Sequence, residues 1–163
     1  MLAMVISGGQ TGVDRVALDV AMQFGIPHGG WCPAGRRSED GRIPEIYNLK
    51  ETRSSSYAVR TEQNVLDADA TLILYATEMT GGTAFTRQMA KRHGRPFHPV
   101  DLDSMFGIST LVETARDWLG DEAVQVLNVA GPRASSRRDI VELATKFLTG
   151  LLREQASHHD GLQ

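Results

Sequence analysis

The sequence predicts a doubly wound α/β domain, a mostly parallel sheet with helices on both faces. Three observations carry this. Strand-like and helix-like segments alternate along the whole chain. Several strand-like segments are continuous apolar runs, as expected of strands buried on both faces. Three strand-to-helix turns hold glycine, with a hydroxyl residue at or near the helix start.

Leu2 to Ser7 is a short apolar run ended by Gly8-Gly9 and predicts the first strand. Val13, Val16, Ala17, Val20, Ala21 and Phe24 recur every three or four residues and predict an amphipathic helix. Gly25 stops it, and Pro27 follows. Ile26 to Trp31 reads as a second strand, interrupted by one proline and two glycines. Cys32 to Asn48 reads as a long charged loop, and Leu49 to Thr52 as a short strand. Ser54-Ser55-Ser56 is placed to cap a helix from Tyr57 to about Leu66. Thr71 to Tyr75 is a strand, and Gly81-Gly82 opens a helix from Thr83 to about His93. Pro96 to Asp101 is the next strand. Ser109 is expected to cap a helix with Leu111, Val112, Ala115, Trp118 and Leu119 on one face. Val124 to Ala130 is the last strand. Ser136 is expected to cap a last helix carrying Ile140, Leu143, Ala144, Phe147, Leu148 and Leu151, with Arg137-Arg138 in its first turn.

With 163 residues, the chain predicts one domain over 1–155 and a polar tail over 156–163. Hydrophobic residues make up 41%, enough for a globular core. The net charge is −3, too mild for a dedicated nucleic-acid or membrane-surface protein. A single cysteine, Cys32, excludes an intrachain disulfide, and a reducing, cytoplasmic setting is expected. Met1 to Ile6 has neither the basic flank nor the length of a leader. No apolar run approaches the ~20 residues of a membrane span. The five histidines show no ligand spacing, so no metal site is expected; His158-His159 falls in the tail. No G-x-S-x-G elbow offers a serine nucleophile.

In a doubly wound sheet, ligands sit beyond the carboxyl ends of the strands. Three turns meet there: Gly8-Gly9-Gln10-Thr11-Gly12, Thr80-Gly81-Gly82-Thr83, and Gly131-Pro132-Arg133-Ala134-Ser135. Free N–H groups at a helix start, with the positive end of the dipole, attract an anion. Thr11, Thr83 and Ser135 add hydroxyls, and Arg133 a charged fork. Three such turns at one edge point to a phosphate-bearing ligand. Neither the Lys-Ser/Thr ending of a P-loop nor the dinucleotide G-x-G-x-x-G spacing is present. Asp14, in the first helical turn, suits either the helix dipole or a ligand hydroxyl or amine. Arg36 to Arg60 holds six basic and four acidic residues, and the long loop from Cys32 reads equally as a lid with Arg36 and Arg37 at the ligand or as a solvated loop.

Gly8-Gly9-Gln10-Thr11-Gly12-Val13-Asp14, Cys32-Pro33, Gly35-Arg36-Arg37 and Glu39-Asp40-Gly41 together resemble the molybdenum cofactor carrier family. Further matches are Arg60-Thr61-Glu62 with Asn64, Asp69-Ala70-Thr71, Gly81-Gly82-Thr83-Ala84 and Asn128-Val129-Ala130-Gly131-Pro132-Arg133, so the similarity runs over about 5–150. The resemblance implies a Rossmann-like fold, a homo-oligomer (dimer or tetramer), and a pocket for molybdopterin or a nucleotide-like ligand. It also implies molybdoenzymes as partners. The family is similar to the Lonely Guy phosphoribohydrolases and the DNA-processing protein fold. In the former, a G-G-x-G-T-x-x-E motif supplies a catalytic Glu; the matching position here is Thr86, which is no carboxylate acid or base. After Gly131-Pro132-Arg133, the carrier family's Glu-Ser is replaced by Ala134-Ser135.

The expectation is therefore a binding protein for molybdenum cofactor or a similar phosphate-bearing ligand, held by Gly8 to Gly12, Asp14, Arg36, Arg37, Gly81 to Thr83, Gly131 to Arg133 and Ser135. Two alternatives stay open. One is a phosphoribohydrolase-like enzyme needing a pocket carboxylate, for which Glu39, Asp40, Glu62 and Asp14 are candidates. The other is a sensor of nucleotide derivatives that signals by a change of oligomer.

Overall fold

A five-stranded parallel sheet forms the centre of the molecule, seen in a computed structural model that describes residues 1–156. In chain order the elements are β1 (Met4–Ile6), α1 (Val13–Gln23), β2 (His28–Gly29), β3 (Trp31–Cys32), β4 (Arg37–Ser38), β5 (Gly41–Arg42) and β6 (Lys50–Glu51). They continue with α2 (Tyr57–Asp67), β7 (Ala70–Tyr75), α3 (Gly81–Arg92), β8 (Phe97–Asp101), α4 (Ile108–Asp121), β9 (Val126–Ala130), a 3₁₀ turn (Ala134–Ser136) and α5 (Ile140–Ala156). The sheet order is β2-β1-β9-β7-β8, with every neighbouring pair parallel. The last strand in the chain thus lies at the centre of the sheet. Counted with β9 first, the order becomes 3-2-1-4-5, that of a dinucleotide-type half-sheet.

Helices cover both faces, as the alternation of apolar segments requires. Adjacent residues of β8 show it, because neighbours in a strand point to opposite faces. Phe97 packs with Val65 of α2 and Met89 and Ala90 of α3, while His98 stacks on Trp118 of α4 at 5.1 Å. The larger core lies on the α1, α4 and α5 side and includes Val16, Val20, Leu72, Leu74, Leu127, Phe147 and Leu148.

Several sequence expectations change in detail. The strand expected over 26–31 is split: β2 joins the main sheet, while β3 pairs in parallel with β6. The break is Gly30, at φ 123, where a Cβ would lie 2.3 Å from the carbonyl oxygen of Ser7. Asn64 of α2 then holds β3, accepting from Trp31 N–H (2.8 Å) and donating to Trp31 C=O (2.9 Å). The charged loop is structured, with a small antiparallel hairpin, β4–β5, anchored by the buried cluster Leu18, Cys32, Ile43 and Tyr47. Ser56 caps α2, accepting from Ala58 N–H at 3.2 Å. Helix α4 starts after Gly107, so Ser109 lies inside it and is not its cap. Ser136 is not a helix cap either; it ends the 3₁₀ turn, and α5 begins at Ile140. Arg137 and Arg138 therefore precede the helix and do not lie in its first turn. Helix α5 extends through Ala156; the rest of the expected polar tail, with His158-His159, lies outside the described residues.

Candidate functional site

A cleft of about 510 Å³ opens at the carboxyl ends of β1, β9 and β7, within the size range of small-molecule sites. The crossover from β1 leads outward to β2, and that from β7 leads the opposite way to β8, so the cleft lies at the switch point of the sheet. The β1 turn contributes Gln10 and Asp14, the β7 turn Thr80 to Thr83, and the β9 turn Gly131 to Arg133. Helix α2 contributes Tyr57, Arg60 and Thr61.

The three glycine turns are not equivalent. In the β1 turn three N–H groups find partners within the protein: Gln10 N–H donates to Asp14 Oδ2 (3.2 Å), Thr11 N–H to Gln10 Oε1 (3.0 Å) and Val13 N–H, across to the β9 turn, to Pro132 C=O (3.1 Å). Its glycines serve close packing. A Cβ on Gly12, at φ 82, would lie 2.4 Å from Pro132 O and 2.7 Å from Ala134 N. One on Gly8 would meet the Arg60 guanidinium at 2.7 Å, and one on Gly9 would meet Leu49 at 2.5 Å. The β9 turn is filled by Glu39 of the β4–β5 hairpin. Its carboxylate accepts from Ser135 N–H (3.2 Å), from Ser135 Oγ (2.5 Å) and from the Thr11 hydroxyl. Those hydrogen bonds, that from Ser135 first, hold the Glu39 carboxyl below the usual carboxylate range.

The β7 turn stands open. Thr80 makes no side-chain cap, and the first intrahelical bond is Ala84 N–H to Thr80 C=O. The N–H groups of Gly81, Gly82 and Thr83 precede it and have no intrahelical partner. A Cβ on Gly81 or Gly82 would meet nothing within 4 Å. Gln10 adds a donor to the same cleft. Its Oε1 accepts from two backbone N–H groups, of Thr11 (3.0 Å) and Glu39 (2.9 Å), which fixes the orientation of the amide. That leaves Nε2 buried, with no partner among the described residues, on a side chain within a residue only 6% exposed.

Charge follows the same division. Burial pushes the Asp14 carboxyl up to about 6, against the pull of Arg60. Among the described residues, no carboxylate comes within 4.0 Å of the Arg60 or Arg37 guanidinium, and Arg133 meets only Glu39, at 3.9 Å. Arg137 lines the cleft but is neutralised by Asp103 and Asp139. Thr86 donates to Gly82 C=O (2.9 Å) within α3, so its hydroxyl is engaged.

Of the residues expected at the ligand, the cleft gathers Gln10, Asp14, Gly81, Gly82, Thr83, Gly131, Pro132 and Arg133. Gly8, Gly9, Thr11, Gly12 and Ser135 sit behind it in the packing just described. Arg36 is buried in the loop, donating to the carbonyls of Ile43 (3.0 Å), Pro44 (2.8 Å), Tyr47 (2.9 Å) and Leu49 (3.4 Å). Arg37 is not in the cleft lining; its guanidinium lies 4.4 Å from the centre of the ring of Tyr57, a lining residue. Asp40 pairs with Arg15 (2.6 Å) and Glu62 with His93 (2.7 Å), neither in the cleft lining. Tyr57, Arg60, Phe85 and Thr86 were not on the list of expected ligand residues. One signal was available for the first two: Tyr57 and Arg60 are three residues apart on a helix and share a face. Among the described residues, no cluster of His, Cys, Asp or Glu could hold a metal ion, and no helix is long and apolar enough to cross a membrane.

A parallel sheet with a cleft and an open helix start at its switch point defines a doubly wound α/β domain. The chain belongs to the circularly permutated YpsA SLOG family, whose model matches residues 5–152. The central position of the last strand agrees with such a permutation. Among solved structures, the "Putative molybdenum carrier protein" of Syntrophus aciditrophicus SB is similar at 43% identity. The match covers 93% of this chain and 95% of that one, with a TM-score of 0.90. No curated protein matches.

Proposed function

We propose that this protein binds and carries a phosphate-bearing small molecule of the molybdenum-cofactor type. The observation that carries the reading is the open start of α3 facing a cleft that also holds the unpartnered Gln10 Nε2. A phosphate there would accept from Gly81, Gly82 and Thr83 N–H, with Gln10, Arg60 and Arg133 as further donors. The neighbour's name, a molybdenum carrier, supports a molybdenum-bearing ligand, with the metal as cargo. The open start of α3 would hold such a molecule by its phosphate.

The test is thermal unfolding against molybdenum cofactor, molybdate, AMP, ADP-ribose and inorganic phosphate. A ligand at 100 times its Kd adds about 2.7 kcal/mol, a rise of several degrees for a chain of this size. A rise with the cofactor beyond that with phosphate is expected. No rise with any phosphate-bearing ligand would overturn the reading.

One observation favours a hydrolase instead. Asp14 is a buried cleft carboxyl whose raised pKa suits acid–base work at neutral pH. Release of free base from a panel of nucleoside monophosphates, lost in Asp14→Asn, would establish that reading; no product from the wild type would remove it.

A further inference from the structure

We propose that the rim of the cleft, where Arg37, Arg60 and Arg133 gather around the ring of Tyr57, is a second anion subsite, so that the ligand carries two anionic groups. This rests on the phosphate-binding reading of the α3 start, which supplies the first subsite.

The three guanidinium carbons lie 4.4, 5.5 and 5.7 Å from the centre of one aromatic ring. They come from three separate parts of the chain: β4, α2 and the β9 turn. Gathering three positive charges at one ring is unfavourable unless something opposes them. The ring face offsets part of this, but the chain supplies little else. Arg133 is 3.9 Å from Glu39, whose oxygens already accept from Thr11 and Ser135. Arg37 donates to the Ser55 carbonyl (3.0 Å), a neutral group. Arg60 feels Asp14 without touching it, and its Nε is buried without a partner. Three other arginines near this end of the sheet do have carboxylate partners: Arg15 has Asp40, Arg42 has Glu45, and Arg137 has Asp103 and Asp139. The helix starts agree. α2 begins at Tyr57 and α3 at Gly81, and neither carries an acidic residue in its first turn, whereas α1 carries Asp14. Two positive helix ends and the Arg60 and Arg133 guanidinium groups thus line one cleft of about 510 Å³, larger than a single phosphate needs, with Arg37 joining them at the Tyr57 ring; Glu78 also lines the cleft, but neither arginine pairs with it.

The shared chemistry is two anionic groups on one molecule. It has two sources: a diphosphate, or a phosphate together with an anionic metal-oxo head. The experiment is calorimetric titration at fixed ionic strength with three pairs: phosphate against pyrophosphate, AMP against ADP, and metal-free against metal-loaded molybdopterin. At least a tenfold advantage is expected for the second member of one or more pairs. An advantage confined to the phosphate pairs assigns a diphosphate, and one confined to the molybdopterin pair assigns the oxo head; both support the subsite. Arg37→Gln should cut the advantage at least fivefold. Arg92→Gln, the same charge change in the last turn of α3, should leave it intact. Equal binding within every pair, or an equal loss in the Arg92 and Arg37 variants, would overturn the second subsite while leaving the first standing. Binding by none of the six would overturn both.

Discussion

Gly82→Ala separates the two reasons for a glycine at a strand-to-helix turn. Gly82 is the second residue of α3, its backbone is not in the left-handed region, and an added methyl would meet nothing within 4 Å. The unliganded protein therefore loses no packing, and alanine is the better helix former by up to about 1 kcal/mol. For a chain of this length that raises Tm by roughly 2–4 °C. The same methyl occupies the space through which an anion would approach the N–H groups of Gly81 to Thr83. Losing even one charge-assisted hydrogen bond costs about 1.5–3 kcal/mol, a tenfold or greater loss of affinity. Differential scanning fluorimetry and phosphate calorimetry on one preparation read both effects. Higher stability with unchanged phosphate affinity would refute the role given to the α3 start. Gly12→Ala is the contrast. At φ 82 its methyl would lie 2.4 Å from a backbone oxygen, so stability should fall by more than about 2 kcal/mol.

Other outcomes follow from the same geometry. Arg36→Ala should lower stability by at least about 3 kcal/mol, read by urea unfolding, because it strands several buried carbonyls that a charged donor now serves. An intact unfolding midpoint with lost phosphate binding would instead restore Arg36 to the ligand. Asp14 has a folded pKa raised from 3.8 to about 6, so the folded state binds its proton more tightly than the unfolded chain does. Its contribution is present below pH 4 and lost as pH rises through 6, a change of about 3 kcal/mol. Asp14→Asn should remove this fall from the stability–pH curve, and an unchanged slope between pH 4 and 6 would contradict the burial account. Glu39 behaves oppositely: its lowered pKa gives stability above the unfolded value that is lost on acidification. Glu39→Gln should flatten that acid limb below pH 4.5 and, by removing the negative charge beside Arg133, tighten pyrophosphate binding severalfold at low salt. Weaker pyrophosphate binding in a folded variant would show that Glu39 positions the site.

The fold class and the edge at which the glycine turns meet were legible in the sequence because they depend on local pattern. Alternating apolar runs and helical spacings are written residue by residue, and glycine turns announce themselves. Register and strand order were not, since nothing local tells Val126–Ala130 that it will lie between β1 and β7. The short elements also escaped. The 26–31 segment divides between two sheets because Gly30 passes against Ser7, a contact made only in the folded chain.

The site shows the same boundary. By itself the sequence determined that three glycine-bearing turns would meet at one edge of a parallel sheet, with arginines nearby. Only the tertiary structure decided which turn is free. Asp14 bends back on its own turn, Glu39 arrives from a hairpin to fill another, and Arg36 is drawn into the loop by four carbonyls. Tyr57 and Arg60 were not expected at the ligand because their place beside the cleft depends on where α2 packs. The physical reason is common to all. A backbone N–H or a guanidinium must find a partner, and whether that partner is the chain's own atom or a ligand depends on which distant residues folding brings within about 3 Å.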